Sequence, residues 1–244
     1  MSRSLQDSAS RGVTVTHDSP TVRIYLGTLV QDSYGQPAFD HCKSFLDETL
    51  DLDWISGYEL YWYTSGFSPN CDKSILSQFD TFRSRNGYQE EGMHVAINAC
   101  NFTKQNSTAV GAMDGGNPWQ EDVNAQTVTQ TYGSDRAQDQ VNDSTIHEPM
   151  HGWSLTKCPD CTDLMYYDPN ENSYLEHSLG TVFDNLYGFR NRWETAIGEG
   201  DRSIKNGDCY NSSGSANNIT SKPSQCEMEA IQYGADHSAG YHDH

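Results

Sequence analysis

The chain is short of basic residues: 15 Lys and Arg stand against 34 Asp and Glu in 244 positions, a formal net charge of -19. A nucleic-acid binder needs a cationic footprint to neutralise phosphates, and the sequence carries none. The same charge would be repelled by an anionic membrane surface. Neither nucleic acid nor membrane is therefore an expected partner. Long apolar runs are also missing, so no segment is long and apolar enough to span a bilayer. The h-region of a signal peptide is lacking as well, because Met1 to Arg11 is polar. If the protein is secreted, this sequence corresponds to a mature form carrying a start Met. There is no internal repeat and no domain-sized linker.

What is present suffices for a core. Hydrophobic residues make up 35% and aromatics 11%, with 14 Tyr and 5 Trp. That composition argues against disorder, and the length fits one domain, or one domain divided by a cleft into two lobes. Seven cysteines, at 42, 71, 100, 158, 161, 209 and 226, suit an oxidising compartment, and their odd number leaves one without an intrachain partner. Cys209 and Cys226 flank a small polar loop and form the first candidate bridge. Cys158-Pro159-Asp160-Cys161 reads as structural cysteines rather than a redox pair, since no second CxxC and no strand-to-helix start surrounds it. The pairing among Cys42, Cys71 and Cys100 is not readable. Asn-x-Ser/Thr acceptors for N-glycans occur at Asn101, Asn106, Asn142, Asn211 and Asn218. Cysteines and acceptors together point to a secreted, extracellular protein.

Along the chain, Ser2 to Gly12 is Ser-rich and reads as a loose terminus. VTVT and VRIYLGTLV, within 13–30, predict strands separated by the turn Asp18-Ser19-Pro20. After Pro37, the residues Phe39, Cys42, Phe45, Leu46 and Leu50 fall near helical spacing. Tyr58 to Thr64 is aromatic and strand-like. Ile75, Leu76, Phe79 and Phe82 repeat the helical pattern over Lys73 to Arg85, and Asn86-Gly87 stops it. Met93 to Ala99 predicts a short apolar strand, and Thr108 to Met113 another. A helix capped at Ser134 or Asp135 is expected to run toward Trp153, with Gly152 as a possible end. The stretch after Trp153 reads as loop, Tyr187 to Trp193 as a further helix, and the chain from Gly198 as Gly/Ser/Asn-rich.

The last long helix carries His147-Glu148-Pro149-Met150-His151. On a helix, residues four apart share a face, so His147 and His151 can bind one ion together. Glu148, beside them, can take a proton from water without being a ligand. Pro149 removes one backbone hydrogen bond and its ring clashes with the preceding turn, at about 3 kcal/mol. The helix is therefore expected to kink there or to begin only shortly before Ile146.

This HExxH segment resembles the zincin metallopeptidases, in which such a helix follows a sheet; the element order extends the likeness over Tyr58 to Trp153. The resemblance implies an α/β (α+β) fold with a twisted sheet, an active-site helix, and a loop-rich, disulfide-bonded C-terminal part. It further implies Zn2+ as cofactor, His147 and His151 as metal ligands, Glu148 as general base, and a protein or peptide substrate. The metzincin subgroup places a Gly and a third His further on, but the matching positions here are Ser154 and Lys157. The third ligand must then lie downstream. His177 is the first choice. Glu176 would resemble the gluzincin set, although its companion acidic position is Gly180. Asp184 lies in Gly180-Thr181-Val182-Phe183-Asp184-Asn185-Leu186-Tyr187-Gly188, which is similar to an aspzincin signature with one extra residue. Met165 resembles a metzincin Met-turn but precedes His177, and reads more simply as a packing residue. Tyr167, Tyr174 and Tyr187 are candidate oxyanion donors. His17, His41 and His94 have no partner at ligand spacing, and His237, His242 and His244 belong to a polar tail.

The expected organisation is a flexible N-terminus (1–12), an N-terminal lobe with the HExxH helix (13–153), a C-terminal lobe completing the zinc site (154–232) and a flexible tail (233–244). The expected function is a secreted zinc metalloendopeptidase. The alternative from another class is a non-catalytic extracellular metal-binding or structural glycoprotein on a zincin-like fold.

Overall fold

The computed structural model describes residues 2–12, 19–51, 53, 55–100, 111–113, 118–129, 137–153, 165–168 and 173–177. Its centre is a six-stranded mixed sheet in the order β1-β3-β2-β4-β6-β5. The strands are β1 (Ser4–Gly12), β2 (Thr21–Leu26), β3 (Gly57–Thr64), β4 (Gly92–Asn98), β5 (Gly111–Met113) and β6 (Asp122–Val128). β3, β2, β4 and β6 run parallel, while the outer strands β1 and β5 are antiparallel to their neighbours. Parallel neighbours require crossovers, supplied by helices α1 (Gly35–Asp51) between β2 and β3, and α2 (Ile75–Asn86) between β3 and β4. A third helix, α3 (Ala137–Trp153), follows β6. The chain is thus an α/β protein.

The period of two along each strand sorts its side chains into two cores. One face gathers Val22, Ile24, Leu26, Leu60, Trp62, Met93, Val95, Ile97, Val123 and Ala125 under α1 and α3. The other holds Tyr25, Tyr63 and Ala96 against Phe67, Ile75 and Phe79 of the loop after β3 and of α2. β4 is buried at all seven positions, as a central strand covered on both faces must be.

Helix α1 buries Ala38, Phe39, Cys42, Phe45, Leu46 and Thr49, one stripe at 3.6-residue spacing, with Pro37 tolerated in its first turn. It lies so close to β3 that a Cβ on Gly35 would stand 2.5 Å from the Trp62 ring. Asp47 on its far end accepts from Tyr58 (2.6 Å) and Arg11 (2.8 Å) and pairs with Lys43. Partial burial alone would raise its pKa, but these donors hold it at about 2. The thiol of Cys42, buried and free, is pushed up to about 12 by burial.

Helix α2 begins at Ser74, whose side chain accepts from Ser77 N–H, and ends at Gly87, left-handed at φ 71°. On its buried side lies Arg83, 0% exposed. Its guanidinium donates to Asn124 Oδ1 (2.7 Å), Asp122 Oδ2 (2.7 Å) and the Tyr88 carbonyl (2.9 Å), tying α2 to β6. A disulfide joins Cys71 to Cys100, closing the start of α2 onto the end of β4.

Two readings of the sequence are corrected here, and one strand that went unread is added. Ser4–Gly12 is not loose: it is β1, paired along β3 from Ser4 opposite Thr64 to Gly12 opposite Gly57. β6 had no apolar signature, because its second face is polar, with Asn124 bonding Arg83 and Gln126 bonding Asn98. The stretch after Trp153 contains a hairpin of β7 (Met165–Asp168) and β8 (Ser173–His177) where loop was expected. Residues 13–18 and 178–244, with the candidate Cys209–Cys226 bridge, Cys158, Cys161 and the proposed helix at Tyr187 to Trp193, lie outside the described residues. Among the described residues no helix is long and apolar enough to cross a membrane.

Candidate metal centre

Helix α3 carries the HExxH segment. It packs on α1 and across β4, β5 and β6, because Val141, Ser144, Thr145, Ile146, Glu148 and Trp153 are buried. Val141, Ile146 and Trp153 join the core between the helix and the sheet. Thr145 donates back to the Val141 carbonyl at 2.6 Å, a local bond that satisfies its buried hydroxyl. The last turn is anchored by Trp119, whose indole N–H donates to the Trp153 carbonyl at 3.2 Å while the two rings pack 6.2 Å apart.

Pro149 lies inside this helix, which extends unbroken from Ala137 to Trp153. Of the two starts the sequence allowed, the one just before Ile146 is thereby set aside and the one near Ser134 or Asp135 is close, giving a helix of 17 residues in which packing outweighs the proline's local penalty. Gly152 does not end it either, since Trp153 is still helical. His147 and His151 fall one turn apart on its backbone, the spacing that brings i and i+4 to one face. Between them Glu148 is 6% exposed, so its carboxylate sits in the protein rather than in bulk water.

For His147, His151 and His177 only the backbone is described. His177 closes β8, and the hairpin register pairs it with Met165, with Tyr166 opposite Glu176. The Met165 of the sequence reading is thus a cross-strand neighbour of the first-choice third ligand. Tyr167 pairs with Tyr174 in the same hairpin. Asp184 and Tyr187 lie outside the described residues, as do His17, His237, His242 and His244. Among the described residues no group of three or more His, Cys, Asp or Glu is placed to hold a metal ion.

Of the five glycan acceptors, Asn142 lies within α3, where its side chain accepts from Gln138 at 2.7 Å and its companion Ser144 is buried. The other four lie outside the described residues.

One histidine without a ligand-spaced partner proves to be built into a network. His94 is fully buried, and its Nε2 lies 2.6 Å from the Glu90 carbonyl while Nδ1 lies 3.0 Å from Tyr25 Oη. Burial first, and the nearby Arg83 next, drive its pKa well below the ordinary value, so it is neutral. This arrangement left no signal in the sequence, because Tyr25, which completes it, lies on another strand far from Glu90 and His94 in the chain.

The chain matches no protein-family model and no curated protein.

Proposed function

We propose that the chain is a secreted zinc-dependent metalloendopeptidase with a zincin-like fold, using His147 and His151 as metal ligands and Glu148 as general base. The observation that carries the reading is the i, i+4 pair of histidines on one continuous helix with a buried glutamate between them. Two imidazoles at that spacing form a donor set suited to zinc, a borderline-soft ion that takes nitrogen ligands readily. His177 is the proposed third ligand, with Glu176 and Asp184 as the competing positions. When bound there, zinc would act as a Lewis acid and lower the pKa of a coordinated water toward about 7.

Glu148 takes the proton from the attacking water and passes it to the nitrogen of the leaving amine. A peptide substrate is supported by the sheet as well. β5 is its outermost strand on the α3 side, and an outer strand can take an extended peptide as one more strand.

The test is Glu148→Gln. That variant is expected to keep one zinc per chain by metal analysis and to lose peptide cleavage by at least about a thousandfold. Cleavage at the native rate would remove the mechanism. Zinc bound by the native chain without cleavage of any peptide would leave the non-catalytic metal-binding glycoprotein.

A further inference from the structure

Strand β1 is a weak strand by composition. Ser4-Leu5-Gln6-Asp7-Ser8-Ala9-Ser10-Arg11-Gly12 is mostly exposed, and its one large apolar residue, Leu5, is 53% exposed. Such a segment buries too little apolar surface to hold the edge of β3 on that account. Its side-chain anchors are unequal. Arg11 reaches Asp47 and Asp51 at 2.8 and 2.9 Å, but in an exposed position where such pairs are worth little. Arg3, just ahead of the strand, is enclosed instead.

The Arg3 guanidinium lies 4.2 Å from the ring centre of Tyr88, 4.6 Å from Tyr63 and 5.8 Å from Tyr25. It pairs with both carboxylate oxygens of Glu90 and donates to Tyr25 Oη at 2.6 Å. The backbone N–H of Arg3 donates to Tyr88 Oη at 3.0 Å. The enclosure is polarised from behind. A carbonyl only accepts, so His94 Nε2–H must donate to the Glu90 carbonyl, which leaves Nδ1 as an acceptor. Tyr25 O–H therefore donates to His94 Nδ1, and the tyrosine oxygen turns its lone pairs toward Arg3. Three ring faces, a carboxylate and a committed acceptor together suit a planar cation with several donors, which is the chemistry of guanidinium rather than ammonium.

We propose that Tyr25, Tyr63, Tyr88 and Glu90 form a guanidinium site, filled here by the chain's own Arg3, that latches β1 onto β3. Once emptied, the site takes the arginine side chain of another peptide. The proposal is independent of the zinc site.

The latch can be read by amide exchange. On β3, the amides of Glu59 and Ser65 bond to Pro20 and Leu26, so the alternating set of Tyr58, Leu60, Trp62 and Thr64 faces β1. In full-length Arg3→Ala these four amides should exchange on the order of tenfold faster, with the β2-facing set unchanged. The ring resonances of Tyr25, Tyr63 and Tyr88 in that variant should shift on addition of millimolar acetyl-arginine methylamide. Acetyl-lysine methylamide should act at least about tenfold more weakly, and the native chain, its site full, should not respond. Unchanged exchange in Arg3→Ala, equal response to the two probes, or an equal response of the native chain would each overturn the proposal. Should Arg3→Ala not fold, Arg3→Lys keeps the charge and loses the fork. Faster exchange of the same four amides is then expected, and native exchange would overturn the proposal.

Discussion

His94 shows what burial does to a single side chain. It is completely enclosed, neutral, and bonded through both nitrogens, with a pKa driven well below that of the unfolded chain. The unfolded chain gains a proton at this residue below about pH 6.5 that the folded chain refuses, so the unfolded state binds more protons and stability falls with acid. From pH 6.5 down to 5 the slope from this residue should grow from about half of, toward the full, limit of about 1.4 kcal/mol per pH unit as the unfolded histidine becomes fully protonated. Denaturant unfolding of native protein and His94→Gln across that window checks it; the variant's curve should be flatter by that amount. A native curve no steeper than the variant's would show that His94 is charged in the folded state. Neither this network nor the buried Arg83 was legible beforehand. A histidine or arginine in a sequence looks exposed until other residues, here the nearby Glu90 and the distant Tyr25, Asp122 and Asn124, supply the partners that let it be buried.

At the scale of elements, those with a strong apolar rhythm were legible. The spacing of Phe39, Cys42, Phe45 and Leu46 set the buried stripe of α1, and Ile75 and Phe79 set that of α2. Tyr58 to Thr64 and Met93 to Ala99 became β3 and β4 within a residue or so. β1 and β6 were missed for one reason seen from two sides. β1 packs little, and β6 packs polar groups whose partners come from elsewhere. The Cys71–Cys100 bridge belongs to this scale too, because it joins two elements that the sequence could not pair. Its separation of 29 residues predicts about 3–4 kcal/mol of stabilisation through loop closure in the unfolded chain. Thermal or urea unfolding of Cys71→Ala/Cys100→Ala should show a loss of that size, with the β4 amides still protected below the transition. A loss under about 1 kcal/mol would mean that native contacts already restrict the two ends.

For the whole molecule, the telling feature is where α3 falls. It covers the end of the sheet formed by β4, β6 and β5, with α1 beside it, and so presents the HExxH segment from a rigid support rather than from a loop. On the proposed reading, zinc binds the folded chain and not the unfolded one, and must raise its stability. At a free concentration a hundredfold above the dissociation constant the gain is about 2.7 kcal/mol, or about 5–10 °C in Tm for a chain of this length. Chelator should lower Tm by that amount, and zinc but not magnesium should restore it. His147→Ala/His151→Ala should be insensitive to both. A zinc-dependent Tm retained in that double variant would move the metal to other ligands.

The sequence by itself determined the local elements whose apolar residues repeat at 3.6 or 2, the adjacency of His147, Glu148 and His151, and the acidic charge balance. These follow from bonding distance along the chain, where spacing alone decides which side chains share a face. Tertiary structure alone decided the strand order, the edge strand β1, the Cys71–Cys100 pairing, the unbroken helix through Pro149 and the enclosure of Arg3, Arg83 and His94. Each of these depends on groups brought together across the fold, where burial strengthens a hydrogen bond or an ion pair and makes an unpaired group costly.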